Sequence, residues 1–165
     1  MPQQLTIITN PDPRLRQMSD VVSLKMFKDK KFQIFLDDLE ETMLKKDGAG
    51  LAAPQVGQNI RVIVISYDQE ILFMINPRIT RRSWAQVKDE EGCLSVVDSQ
   101  GEILYGPVKR HKKINCTYFN RYGQIQKINV EKLTARIIQH EIDHLDGILF
   151  IDRLEKGAKL KKLSS

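Results

Sequence analysis

Cysteine is scarce in this chain: Cys93 and Cys116 are the only two. A disulfide framework is therefore excluded as a source of stability, and each thiol has to be read from its neighbours. Histidine is also scarce, with three residues, so any clustering of them is informative. No apolar run approaches the roughly 18 residues that a membrane span needs. Internal repeats, low-complexity tracts and Pro/Gly/Ser-rich linkers are missing too, which argues against a solenoid and against several domains. A length of 165 residues is enough to bury a real core without staples. The expectation is one catalytic domain spanning residues 1–165. The opening segment MPQQLTIITNPDPRLRQ lacks the basic start, apolar stretch and cleavage site of a leader. The cytoplasm is the expected location, with no membrane association.

The net charge is +5, and the basic residues gather in three places: Arg78, Arg81 and Arg82, then Lys109 to Lys113, then Lys156 to Lys162. Such runs usually form a solvated face. The alternative is contact with RNA, a ribosome or another anionic surface, because phosphate attraction needs only clustered cations. Neither a DNA partner nor an oligomer is expected.

Between about Asp29 and Lys46, Phe32, Phe35, Leu36, Leu39 and Met43 recur at helical spacing. Lysines in the last turn and the Asp47-Gly48 pair close that helix. The runs RVIVISY, ILFMINP, KKINCTYFN and QIQKINV read as strands, the last two forming a hairpin around Arg121 to Gly123. A second helix runs from about Glu131 to Asp146, stopped by Gly147, with Asn129 or its neighbour as a candidate cap. Helices flanking a mostly antiparallel strand region predict an α+β domain.

The sharpest signal is HEIDH, His140 to His144, within the second helix. Residues four apart share a helix face, so both imidazoles can reach one ion while Glu141 addresses a water on it. The competing reading is a solvated helix face carrying ordinary polar residues. A catalytic site of the zinc type needs a third protein ligand and an open position. The metzincin pattern HExxHxxGxxH fails, because Phe150 stands where the third histidine belongs. A downstream carboxylate could only be Glu155, which would make a small metallopeptidase. Cys93, in EEGCLS, is the other candidate, since a thiolate is a strong ligand for divalent transition metals. Taken alone, Cys93 reads more readily as a buried structural cysteine, the reading that Cys116 receives from its apolar setting INCTYF. A third segment, GAGLAAPQVG from Gly48 to Gly57, is by itself only a glycine-rich loop.

Taken together and in order, GAGLAAPQVG, EGCLS and HEIDHLDG resemble the three signature motifs of peptide deformylases. PDPRLR and the continuation GILFIDRL extend the resemblance over most of the chain. The resemblance implies a small α+β domain in which the HExxH-bearing helix is surrounded by mostly antiparallel β-strands. It implies that Cys93, His140 and His144 bind the metal, that Glu141 is the general acid/base, and that Gln55 and the backbone N–H of Leu94 stabilise the oxyanion. Substrate contacts would fall on Ala49, Gly50, Glu91, Leu133 and Ile137. The implied cofactor is one divalent ion, Fe(2+) by type, with Zn(2+) or Ni(2+) able to substitute. The implied substrate is the N-formyl-methionyl nascent peptide, and contact with the ribosome is compatible with the basic runs. Ala49, Val97 after CLSV, and a long stretch at residues 98–107 depart from the common pattern and bear on pocket shape.

The residues themselves supply part of the chemistry. A metal that lowers the pKa of a water provides a nucleophile at neutral pH. Leu133 and Ile137 lie seven and three residues before His140 on its helix face, so they could line a methionine pocket or belong to the core. A basic RNA-binding module with a vestigial metal site remains the alternative from another functional class.

Overall fold

The computed structural model describes residues 1–163. Seven strands and two α-helices follow one another as α1 (Lys30–Lys45), β1 (Gly50–Ala52), β2 (Val62–Tyr67), β3 (Glu70–Arg82), β4 (Gln86–Val97), β5 (Ile103–His111), β6 (Lys113–Phe119), β7 (Ile125–Glu131) and α2 (Lys132–Leu145). All ladders are antiparallel. One sheet has the order β1-β2-β3-β6-β7, and β4 pairs with β5 in a separate two-stranded sheet. The α+β expectation holds, with α2 set against strands.

Side-chain alternation explains the layering. On β2, Val62 and Val64 point to one side and Ile63 and Ile65 to the other. The first pair joins Phe73 and Ile75 of β3 and the α1 residues Phe32, Leu36, Leu39 and Met43 in one buried cluster. The second pair joins Met74, Ile114, Cys116, Tyr118 and Val130 with Ala135, Ile138, Ile142 and Leu145 of α2 in another. The five-stranded sheet is thus sandwiched between α1 and α2. Cys116 is a core residue, as its sequence setting indicates, and burial pushes its thiol up to about 11.

Helix α1 begins at Asp29, whose carboxylate accepts from the backbone N–H groups of Lys31 and Phe32 at 2.7 and 3.3 Å, a cap worth about 1 kcal/mol. Its end follows the sequence reading: the helix stops at Lys45, Asp47 takes the left-handed conformation (φ 51°), and the Gly48 N–H donates to the Met43 carbonyl at 3.0 Å. Gly147 does close the second helix with φ 72°. At its start, Asn129 is not a cap, because it lies within β7 opposite Asn115, and Glu131 occupies the cap position without a capping side-chain bond. Half of the long 98–107 stretch is strand: only residues 98–102 turn, with Asp98 accepting from the N–H groups of Gln100 and Glu102.

Leu39 is completely buried at the interface of α1 with the sheet. Replacing it with alanine is expected to lower the unfolding free energy by about 2–5 kcal/mol, from lost transfer energy plus a cavity. Urea unfolding followed by circular dichroism measures this, and a change under about 1 kcal/mol would contradict the packing described.

Candidate metal centre and its cleft

The β4–β5 ladder is regular from Gln86↔His111 to Gly92↔Tyr105, then breaks until Val97↔Ile103. Cys93, Leu94 and Ser95 therefore leave the ladder. Gly92 is required at the break, since a Cβ there would come within 2.3 Å of the Tyr105 ring. The freed segment is pinned from outside: the Ser95 carbonyl accepts from the Asn10 N–H at 2.8 Å. This detour aims Cys93 at α2.

On α2, one helical turn separates His140 from His144, and their rings sit 5.0 Å apart at 76°. Cys93 Sγ is 3.3 Å from His144 Nε2. Ligand atoms of Cys93, His140 and His144 all lie within 4.8 Å of one another. His140 Nδ1 is engaged by Glu91 Oε2 at 2.9 Å, which leaves Nε2 for the cluster. A sulfur and two imidazole nitrogens form a donor set suited to a divalent transition ion. The electrostatics agree. Burial opposes charge on His140, but hydrogen bonds with Cys93 and Glu91 override it and hold its pKa well above the ordinary value. The site favours a positive charge at that point. Burial pushes His144 well below its ordinary value, keeping it neutral and able to ligate.

Beside the cluster, Gln55 is buried and held in place. Its Oε1 accepts from the Ala52 N–H at 2.9 Å, while Nε2 donates to Ser95 Oγ at 3.1 Å and points to Cys93 Sγ at 3.5 Å. Glu141 is also buried, and its Oε2 has no protein partner. Burial pushes the Glu141 carboxyl up to about 7, with Glu91 and Asp143 adding to the rise and His140 and Arg110 opposing it. Gly50 makes room for it, since a Cβ on Gly50 would lie 2.7 Å from Glu141 Oε1.

Glu91 has a role that sequence reading missed. Its carboxylate accepts from Arg110 at 2.9 Å through each oxygen, from Arg136 at 2.7 Å, and from His140. Burial works against this charge, yet Arg110 and His140 hold the Glu91 pKa well below the usual carboxylate range. Arg110 also pairs with Asp143, which is bound in turn by Arg153. Arg136 and Asp143 gave no sequence signal, because charged residues on an amphipathic helix ordinarily face water.

The cleft over this centre measures about 260 Å³. Ala49, Gly50, Gln55, Glu91, Cys93, Leu94, Leu133, Ile137, His140 and Glu141 all border it, so the predicted site residues come together, while His144 lies deeper. Leu133 is two-thirds exposed and sits at the mouth. Sequence reading did not single out Ile103 and Tyr105, which also line the cleft. Glu155 is elsewhere, paired with Lys88 at 2.6 Å and Lys109 at 3.1 Å. The carboxylate-ligand alternative has no geometric support.

Comparison with known proteins decides the family. The family model described as polypeptide deformylase matches residues 4–160. The chain belongs to the polypeptide deformylase family. It is 42% identical over 156 residues to a peptide deformylase of Desulfotalea psychrophila, covering 91% of this chain and 87% of that one. A peptide deformylase of Alkaliphilus metalliredigens is 43% identical, covering 91% and 96%. Among solved structures, the Met-Ala-Ser-bound class I type b peptide deformylase of Acinetobacter baumannii superposes with a TM-score of 0.87 at 31% identity, covering 93% of this chain and 100% of that one. The Thermotoga maritima peptide deformylase gives 0.85 at 35% identity, covering 93% and 99%. The family is metal-dependent, and the Cys93, His140 and His144 cluster fits an ion.

Changing Glu91→Gln is expected to weaken metal affinity about 10–100-fold, because the orienting partner of His140 is altered. It should also lower stability by about 3 kcal/mol or more, since Arg110 and Arg136 lose their buried counter-charge. Metal titration and urea unfolding check the two effects separately; unchanged affinity would mean that Glu91 does not orient the ligand.

Proposed function

We propose that Cys93, His140 and His144 hold one divalent ion in a cleft where Glu141, Gln55 and Leu94 remove the N-formyl group from the formyl-methionine of newly made peptides. Deformylation is the activity of the family to which the chain belongs. The observation that carries the residue assignment is the meeting, in one cleft, of the sulfur and two imidazoles with a buried carboxylate oxygen that has no protein partner.

The reaction is hydrolysis of an amide: a water oxygen bonds to the formyl carbon, the C–N bond breaks, and formate and a methionyl amine leave. Bound by Cys93, His140 and His144, the ion would supply Lewis acidity and make a water acidic enough to react near neutral pH. Glu141 takes the proton from the attacking water and delivers it to the departing amine. A carboxyl held near 7 is matched to both tasks. Charge developing on the formyl oxygen is met by the Gln55 amide and the Leu94 N–H, each such donor contributing about 3 kcal/mol. The Gln55 side chain is locked by Ala52 and Ser95, so it needs no reorganisation. Leu94 lies in the stretch where the β4–β5 ladder is broken, which frees its N–H for substrate.

Leu133 and Ile137, one turn apart on α2, form an apolar wall for the methionine side chain, whose thioether adapts to irregular apolar surroundings. Ala49 and Gly50 border the path of the peptide backbone. The binding of Met-Ala-Ser by the Acinetobacter baumannii relative supports this choice of substrate. Among ions compatible with the donor set we assign Fe(2+), with Zn(2+) or Ni(2+) as substitutes. We assign residues 1–165 to one catalytic domain that acts as a monomer in the cytoplasm. Among the described residues no helix is long and apolar enough to cross a membrane.

Glu141→Gln is expected to retain the ion while kcat for formate release from formyl-Met-Ala falls about 10²–10⁴-fold. Stripping the wild-type protein with a chelator should abolish release, and adding Fe(2+) without oxygen should restore it. A Glu141→Gln enzyme with normal kcat would remove Glu141 from the mechanism.

A further inference from the structure

The three basic runs of the sequence meet different fates in the fold. In the C-terminal run, Lys161 pairs with Glu90 at 3.1 Å, and Lys162 pairs with Asp98 at 2.7 Å and Glu102 at 2.8 Å. Lys109 is held by Glu155. Those charges are neutralised within the molecule. The cations on β3, β6 and β7 are not: Arg78, Arg81, Arg82, Lys113 and Lys127 are exposed and have no ion-pair partner among the described residues.

Strand register places four of them, Arg78, Arg81, Lys113 and Lys127, on one surface, while Arg82 pairs with Ile114 of the α2 face and reaches this surface only at the rim of a hollow in it. Residues directly opposite in an antiparallel ladder share a face. Arg78, Thr117 and Lys127 form one row, Arg81, Asn115 and Asn129 the next, and Lys113 with Glu131 a third. This is the face opposite α2. Its other half, around Phe73, Ile75 and Phe119, is covered by α1 and the segment before it. The end bearing the cations is uncovered and concave. A hollow of about 290 Å³ is lined by Arg81, Arg82, Ser83, Lys113, Asn115 and Asn129. A second, of about 190 Å³, shares Asn115 and Asn129 with it and adds Lys127 and Thr117. At its edge, directly after Ser83, stands Trp84, the only tryptophan of the chain, with its side chain fully exposed.

We propose that this uncovered face of β3, β6 and β7 binds the phosphate backbone of single-stranded RNA, with Trp84 stacking on a base. Four unpaired cations on this face, with Arg82 at its rim, against one carboxylate, Glu131, supply the charge complementarity. The amides and hydroxyls between them can hydrogen-bond phosphate and ribose oxygens. An exposed indole beside a basic groove is the stacking element that single-strand binding uses. A lipid surface fits less well, because the rows between the cations carry Asn115, Asn129 and Thr117 where an inserting face needs apolar residues. None of the surface residues borders the cleft, so RNA on this face leaves the metal centre open to peptide.

The test uses the metal-loaded full-length protein and a fluorescently labelled uridine oligomer of about 16 nucleotides, within the site sizes of single-strand binders. Binding should quench the Trp84 emission, and the plot of log affinity against log salt, from about 50 to about 200 mM, should fall with a slope of about −3. The double variant R81E/K113E should weaken binding at least ten-fold, and R81Q/K113Q less so, while both release formate from formyl-Met-Ala at the wild-type rate. W84A, followed by anisotropy of the label, should weaken binding about five-fold or more with the salt slope retained. The proposal is overturned if the RNA leaves Trp84 emission unchanged, or if R81E/K113E binds as the wild type does. Vesicles of phosphatidylcholine and phosphatidylserine form the last arm. A blue shift of Trp84 with vesicles and no response to RNA would identify a membrane-docking face and refute the assignment.

Discussion

The Glu91 carboxylate is the interaction on which the arrangement of the site depends. The sheet β4–β5 carries Cys93, while α2 carries both histidines, and no ladder joins that sheet to the five-stranded one against which α2 packs. The two halves of the metal centre are therefore not joined by a strand ladder. Glu91 on β4 reaches across to Arg136 and His140 on α2, and Arg110 on β5 is shared between Glu91 and Asp143 of α2. Apolar contact seals the same seam, with Cys93, Val96 and Val108 packed against Leu149, Phe150 and Leu15.

A network of buried charges is a costly way to join two layers, since each ion loses several kcal/mol of hydration. What it provides is direction. An apolar seam tolerates small slides, whereas a carboxylate accepting from two guanidinium groups and an imidazole fixes β4 against α2 to within hydrogen-bond tolerance. It also selects which ring nitrogen of His140 turns toward the sulfur. The same burial that makes the network expensive raises Glu141, one residue from His140, to the range useful for moving protons near neutrality. Neighbouring carboxylates in one buried region thus receive opposite treatment: Glu91 is held ionised by cations, and Glu141 is left without a partner.

How much of this was legible in the sequence depended on whether the signal was local. The HEIDH spacing, the α1 stripe from Phe32 to Met43 and the β6–β7 hairpin are set by residues close in the chain, and the structure agrees with them. Pairing of Cys93 with the histidines is long-range, and residue chemistry alone left it open until the likeness of three motifs to one family was recognised. Strands β4 and β5 were not read, because the acidic DEE segment of β4 and Gly106-Pro107 of β5 carry no apolar alternation. The Asn129 cap failed because β7 runs into α2 without a loop to be capped. Arg136 and Asp143 were invisible for a further reason: a sequence shows charges but not their partners. The three basic runs also looked alike until the fold brought acids to Lys109, Arg110, Lys161 and Lys162 and left Arg78, Arg81, Arg82 and Lys113 bare.

The central claim is that a sulfur from β4 and two imidazoles from α2 share one ion. X-ray absorption at the zinc edge of the zinc-loaded protein measures this directly. The account predicts a first shell with one sulfur at about 2.3 Å and two imidazole nitrogens at about 2.0–2.1 Å, beside an oxygen ligand. A shell of nitrogen and oxygen alone, with no sulfur, would contradict it.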